Sequence, residues 1–219
     1  MEKLIFNTNY KNWFNEVSSH IKSHYPMPFT NKDKGKLCLD IGSNVGSFSC
    51  TYHDCFEKII AIEASKSNSE EIENNLKQRS IKNVTVIQKA VYSKGGETKI
   101  LKFWRDTKDK HCGNSSIIEY YDDKRKHGWT DKTGEHVETI GLNDIYELYG
   151  DIDYMKLDVE GGEYDFLMNK DMNRIKYISM ELHVQLRDKK QELKNFLLEN
   201  FSMERELKLH PHEILYLKK

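Results

Sequence analysis

What this chain lacks narrows it before any motif is read. Only three prolines occur in 219 residues, and the four cysteines, Cys38, Cys50, Cys55 and Cys112, include no C-x-x-C pair. Thiols so few and so spaced make neither the disulfide framework of a small secreted domain nor a zinc ribbon, so reduced cysteines and a cytoplasmic setting are expected. Cys38 falls in an apolar run and reads as a small core residue, while Cys50 and Cys55 share one short helical stretch and read as packing. No stretch approaches the ~20 apolar residues that a membrane span needs, and the amino-terminal MEKLIFNTNYKNWF has no apolar run followed by a small-residue cleavage site. No membrane partner is therefore expected. The formal net charge of -1 provides no general attraction to nucleic acid or anionic lipid. Internal repeats and low-complexity segments are absent as well.

Apolar residues are modest at 37% against 32% charged, so the core has to be concentrated in a few strongly apolar segments. They come in a telling order. LCLDIG at 37–42 enters a glycine-containing turn, 59–62 ends in Glu63, and VTVIQ at 84–88 follows a polar helix-forming stretch over 67–79. Strands separated by helices in this way build a parallel sheet. A further strand is predicted at 97–103, a fourth core strand in DYMKLD ending at Asp158, and a fifth over 174–183. After a helix over 186–200, the tail reads as two strands around His210, Pro211 and His212. The expected fold is α/β and Rossmann-like, a mostly parallel seven-stranded sheet with helices on both faces and a C-terminal antiparallel hairpin. Residues 1–219 are read as one domain. Residues 1–30 form a helical extension, with Tyr10, Trp13, Phe14, Val17 and Ile21 at helical spacing over 9–24. Residues 104–136 form an insertion near the active site.

In such a sheet the ligand sits beyond the carboxyl ends of the strands, where strand order reverses. The first strand closes on Asp40, Gly42, Ser43, Asn44 and Gly46, a D-x-G-x-x-x-G pattern. Dinucleotide sites instead have G-x-G-x-x-G, and an acid at Asp40 would repel a pyrophosphate. It suits a cationic ligand, such as S-adenosylmethionine with its ammonium and sulfonium. Glu63 ends the second strand, where it can accept from ribose hydroxyls. The plainer alternative is a strand-to-helix turn in which Asp40 caps the helix and Glu63 is solvated.

With those segments in hand, the sequence resembles the FkbM family of O-methyltransferases. The match runs through DIGSNVGSFS, AIEAS, NVTVIQKAV, GNSSI, VETIGLNDI, DYMKLDVEGGEYDFL and ISMELH, over roughly residues 37–183. The resemblance implies the class I methyltransferase form of the fold and methyl transfer from S-adenosylmethionine to a hydroxyl of a sugar, glycan or small natural product. It also implies a cofactor site made by Asp40, Gly42, Ser43, Asn44, Gly46, Glu63, Ala64, Gln88, Lys89, Ala90 and Asp158. Asp158 and Glu160 would stand at the reaction centre.

Methyl transfer is an in-line displacement from an activated donor, so the protein mainly aligns the acceptor and takes its proton. Asp158, Glu160 and His183 are the candidate catalytic residues, and Asp158 reads either as the base or as an orienting group. Glu181 and His183 share a face of the fifth strand. His183 reads equally as a site residue or as a cap on the sheet. A divalent metal on Asp158, Glu181 and His183 is an alternative that the sequence does not favour. Asn114, Ser115 and Ser116, with Glu181, are the candidate acceptor contacts. The run 124–127, beside Tyr120, Tyr121 and Trp129, leaves RNA ribose methylation as the second reading. A catalytically silent binding module is the third. His210 and His212 are expected to face water, and nothing in the sequence speaks to the oligomeric state.

Overall fold

The computed structural model describes residues 21–103, 115–117, 134–183, 188–209 and 212–219. In chain order the strands begin with β1 (Gly35–Ile41), β2 (Phe56–Glu63), β3 (Val84–Gln88), β4 (Ala90–Val91), β5 (Thr98–Phe103) and β6 (Ser115–Ser116). They continue with β7 (Glu135–Ile140), β8 (Ile152–Leu157), β9 (Ile175–Leu182), β10 (Ser202–Leu209) and β11 (His212–Lys218). The α-helices are α1 (Ser47–Tyr52), α2 (Lys66–Gln78), α3 (Leu142–Tyr149), α4 (Glu163–Leu167) and α5 (Asp188–Asn200).

Seven strands form the main sheet in the order β10-β11-β9-β8-β1-β2-β3. The five from β9 to β3 pair in parallel, while β11 is antiparallel to β9 and β10 to β11. The fold is the mixed α/β one predicted, closing hairpin included. Chain order reverses between β1 and β8, because β1 leads outward through β2 and β3 and the chain then returns to β1's other edge. That gap is where a parallel sheet of this kind holds its ligand.

Burial on both faces explains why the central strands read as continuous apolar runs. Leu37, Leu39 and Ile41 pack with Leu142, Ile145, Phe166, Leu193 and Leu197 from three helices. Cys38, on the opposite side of the pleat, packs instead with Ile21, Tyr25, Phe48, Phe56 and Tyr154. The second face is strongly aromatic, and Phe48 stacks on Tyr154 with ring centroids 6.0 Å apart. Burying side chains of this size stabilises by roughly 1.5–3 kcal/mol each, enough to anchor the segment from Ile21 to Phe29 on the sheet. Two side-chain bonds to its backbone lock it further: Tyr154 Oη donates to the Pro26 carbonyl at 2.9 Å, and Tyr52 Oη to that of Tyr25 at 3.3 Å. Residues 21–24 are helical and the helix ends before Pro26, as predicted; the rest of the expected 9–24 helix lies outside the described residues.

One element departs from expectation. Residues 90–91, 98–103, 115–116 and 135–140 form a second sheet, in the order β4-β7-β5-β6. The sequence shows β5 alone. β4 and β6 are two residues long and carry no periodicity, and β6 exists only because Ser115 and Ser116 meet Phe103 and Lys102 across the intervening chain. The expected loop over 104–136 therefore contains the short strand β6, paired with β5, and the start of β7. No helix among the described residues is long and apolar enough to cross a membrane.

Candidate active site

A cavity of about 320 Å³ opens over the carboxyl ends of β1, β2, β8 and β9. β1 brings Ile41 and the turn Gly42, Ser43 and Asn44; β2 brings Ile62, Glu63 and Ala64; the segment after β3 brings Lys89, Ala90 and Val91. β8 contributes Lys156, Asp158 and Glu160, β9 contributes Glu181, and Ser116 and Ile117 close one side. Ile21, His24 and Tyr25 reach in from the N-terminal segment.

The turn after β1 depends on two left-handed residues that border the cavity, Gly42 at φ 69° and Asn44 at φ 52°. A Cβ on Gly42 would lie 1.8 Å from the Asp158 carbonyl oxygen, so no side chain fits there. Asn44 carries φ 52° because its short polar side chain tolerates that region. Ser43 Oγ donates back to the Asp40 carbonyl, 2.5 Å away, which tightens the turn.

Asp40 requires a correction. The sequence reading sets its carboxylate against the ligand, whereas the structure buries it completely beneath the turn, outside the cavity lining. Strand alternation turns it toward α1, where the Ser49 hydroxyl donates to Oδ2 at 2.6 Å and the Ser49 amide at 3.2 Å. Burial pushes its carboxyl up, while Lys156 and the Ser49 bonds hold it down. Its charge reaches the site through Lys156, whose ammonium stands 3.7 Å from Asp40 and 3.6 Å from Asp158. The same ammonium donates to the Gly42 carbonyl at 2.7 Å and the Ile41 carbonyl at 3.3 Å. Lys156 thus ties the ends of β1 and β8 together at the switch point. Gly46 also lies outside the lining; its role is to start α1 at φ 82° against Ile72.

Glu63 sits at the other end of the cavity. Its Oε2 accepts from the Asn44 amide at 2.8 Å and its Oε1 from the Ser65 amide at 3.0 Å. Burial outweighs these bonds and raises its carboxyl to about 7. Nearby, Ser47 Oγ and Asn68 Oδ1 are buried on the lining and have no hydrogen-bond partner among the described residues. A polar ligand supplies what such atoms lack. Gln88 instead points away, donating to Glu135 at 2.9 Å, and Lys89 pairs with Glu138 at its outer edge.

Opposite Glu63 the acids gather. Asp158 Oδ2 accepts from Tyr25 Oη at 3.2 Å. Burial works against its charge, but Lys156 and His183 outweigh it and hold the carboxyl below its usual range. Glu160, at φ 51° in the turn after β8, is raised to about 7 by burial and by the neighbouring acids against the pull of His183. Glu181 is raised to about 7 by burial and by Asp158. His183 lies behind them, 2% exposed, its Nδ1 donating to the buried Glu163 at 2.5 Å. Burial disfavours the imidazolium, but Glu163 and then Glu160 and Asp158 lift it to about 10. His212, expected to face water, instead packs edge-on against His183 with ring centroids 4.9 Å apart. Ser116 Oγ donates to the Glu160 carbonyl at 3.0 Å. Asn114 and the basic run 124–127 lie outside the described residues, as does the Ser115 side chain.

Comparison with known proteins follows this geometry. The family model described as Methyltransferase FkbM domain matches residues 40–218. The chain belongs to the FkbM methyltransferase family. Among solved structures, a methyltransferase FkbM from Methylobacillus flagellatus is similar at 13% identity and a TM-score of 0.54, over 84% of this chain and 43% of that one. The chain thus spans less than half of that FkbM structure. A precorrin-6y C5,15-methyltransferase from Geobacter metallireducens matches at 15% identity and a TM-score of 0.54, over 100% and 92% of the two chains. A precorrin 8w decarboxylase from Methanobacterium thermoautotrophicum matches at 14% and 0.51, over 93% and 89%. These likenesses are of fold. No curated protein matches the chain.

The FkbM match begins at Asp40, so Ile21, His24 and Tyr25 contact the cavity from outside the family region. Sequence reasoning missed them, together with Ser47, Asn68, Lys156 and Glu163. Lys156 had a legible signal, since a lysine inside the apolar run of a core strand must find partners for its charge. Tyr25 and Glu163 had none, because their roles come from folding distant segments together.

Proposed function

We propose that this FkbM-family chain uses S-adenosylmethionine to methylate a hydroxyl of a sugar, glycan or small natural product. The observation that carries the reading is one cavity with a ribose-suited carboxylate, Glu63, at one end and three carboxylates, Asp158, Glu160 and Glu181, at the other. The unsatisfied Ser47 Oγ and Asn68 Oδ1 fit a polar cofactor between them. When bound, the cofactor supplies a methyl group already activated on a sulfonium. The chain's own residues do the rest. Gly42 to Asn44 offer backbone against the methionine portion, and Glu63 holds two hydroxyls. The three carboxylates orient the acceptor hydroxyl and receive its proton. Asp158 is the orienting member, because one of its oxygens is committed to Tyr25 and Lys156. Glu160 and Glu181 carry the proton.

The test is transfer of labelled methyl from S-adenosylmethionine to panels of polyhydroxylated small molecules, glycans and RNA. Base-stable label on a sugar or natural-product hydroxyl is expected, with Glu160→Gln lowering the rate about 10²-fold or more. Label on RNA alone, or no cofactor binding, would overturn the reading. The residues that motivated an RNA substrate lie outside the described ones, and no observed contact favours it.

A further inference from the structure

His183 is held in a way that proton transfer alone does not require. Its ring is 2% exposed, and Nδ1 donates to Glu163, a fully buried carboxylate that also accepts from the Gly161 amide at 3.3 Å. This fixes the ring and aims Nε2 at the acids lining the cavity. Among the described residues nothing lies within hydrogen-bond distance of Nε2. Three carboxylate oxygens surround it instead at nearly equal range: Asp158 Oδ1 and Glu160 Oε2 at 3.6 Å and Glu181 Oε1 at 3.7 Å. Groups bound about 2.1 Å from one ion lie roughly 3.0–4.2 Å apart, so these separations suit donors converging on a shared centre. The donor atoms of Asp158, Glu160 and His183 all lie within 4.8 Å of one another. A histidine whose second nitrogen is tied to a buried carboxylate is also the usual support of a metal ligand.

We propose that His183 Nε2, Asp158 and Glu160 bind one divalent ion at the acceptor end of the cavity, with Glu181 beside it. Imidazole with carboxylates suits Mn²⁺, Fe²⁺ or Zn²⁺ over Ca²⁺ or Mg²⁺. Among the described residues, four carboxylates, Glu163 included, crowd here, and Lys156 already donates to two carbonyls. Asp158 remains available through Oδ1, since Tyr25 and Lys156 engage Oδ2. The ion's role rests on the methyltransferase reading: it would take the acceptor's hydroxyl oxygen and favour acceptors with a second oxygen on the adjacent carbon, which chelate.

The full-length chain, stripped with chelator and free of cofactor, is titrated with Mn²⁺ by calorimetry and electron paramagnetic resonance. One saturable ion per chain is expected, with nitrogen coupling that disappears in His183→Gln. Affinity should fall about tenfold or more in His183→Gln and in Glu160→Gln. If His183→Gln does not fold, the partly exposed Glu160→Gln decides. No saturable uptake at millimolar Mn²⁺, or uptake unchanged in the variants, overturns the site and leaves His183 as a buried imidazolium that neutralises the acids. Cofactor affinity measured in chelator separates the two proposals. Loss of cofactor binding sinks the methyltransferase reading, whereas the Mn²⁺ stoichiometry decides this one.

Discussion

At the residue scale, Gly42 is where one methyl group does the most damage. Gly42→Ala combines a left-handed backbone, which costs ~1–2 kcal/mol, with a Cβ 1.8 Å from the Asp158 carbonyl oxygen. The melting temperature should fall by roughly 5–10 °C and cofactor binding should be lost; unchanged melting would refute the close approach of β1 and β8. Asp40 makes a different prediction, because it acts through Lys156 rather than on a ligand. Asp40→Ala leaves a buried ammonium short of an anion, a loss of roughly 3–5 kcal/mol, and Lys156→Met should rescue part of it. Additive losses in the double variant would sink that account. Glu63 sets a pH dependence. Its carboxyl is raised to about 7 in the fold, so the folded state holds a proton that the unfolded chain releases near its ordinary value of 4.5. This contribution to stability, on the order of 3 kcal/mol, is therefore fully present at low pH and is lost as pH rises from about 4.5 through 7. Ribose binding needs the ionised form. Cofactor affinity should weaken about tenfold per unit below pH 7, and titration calorimetry should find that slope gone in Glu63→Ala.

At the element scale, the segment from Ile21 to Phe29 does more than cover apolar surface. It places Tyr25 against Asp158 beside the acceptor end, from outside the region the family model matches. Tyr25→Phe removes one hydrogen bond to a charged group, about 1.5–3 kcal/mol, and frees the Asp158 side chain to turn. The expected signature is a methylation rate lowered tenfold or more with cofactor affinity held within about twofold, a split that a merely loosened segment would not produce. Equal loss in both would assign Tyr25 to general packing. The central strands were legible because burial on both faces makes them continuous apolar runs, as in LCLDI and YMKLD. The β4-β7-β5-β6 sheet was not, since two-residue strands are defined by partners far along the chain. In the site, Gly42, Asn44, Glu63, Asp158 and Glu160 were readable because they close strands. Tyr25, Asn68 and Glu163 were not, because no local pattern marks a residue whose partner is distant.

At the scale of the whole molecule, ligand and fold should be linked. A cofactor that binds only the folded chain adds about 2.7 kcal/mol at a hundred times its dissociation constant, which for a chain of 219 residues raises melting by roughly 5–10 °C. Thermal melts with and without S-adenosylmethionine measure this directly, and an unmoved transition would contradict the proposed cofactor. The sequence by itself determined the sheet, its switch point and the family. Apolar runs of the right period and acids at strand ends are local properties, and they survive in one dimension. Only the tertiary structure decided what those acids do. It buried Asp40 under the turn it had been expected to serve and linked it to the site through Lys156. It also drew His183 and His212 into contact across the β9–β11 pair and set three carboxylates around one nitrogen. Charges are felt over distances that only folding creates. The chemistry of this cavity is therefore a property of the packed sheet and not of any one strand.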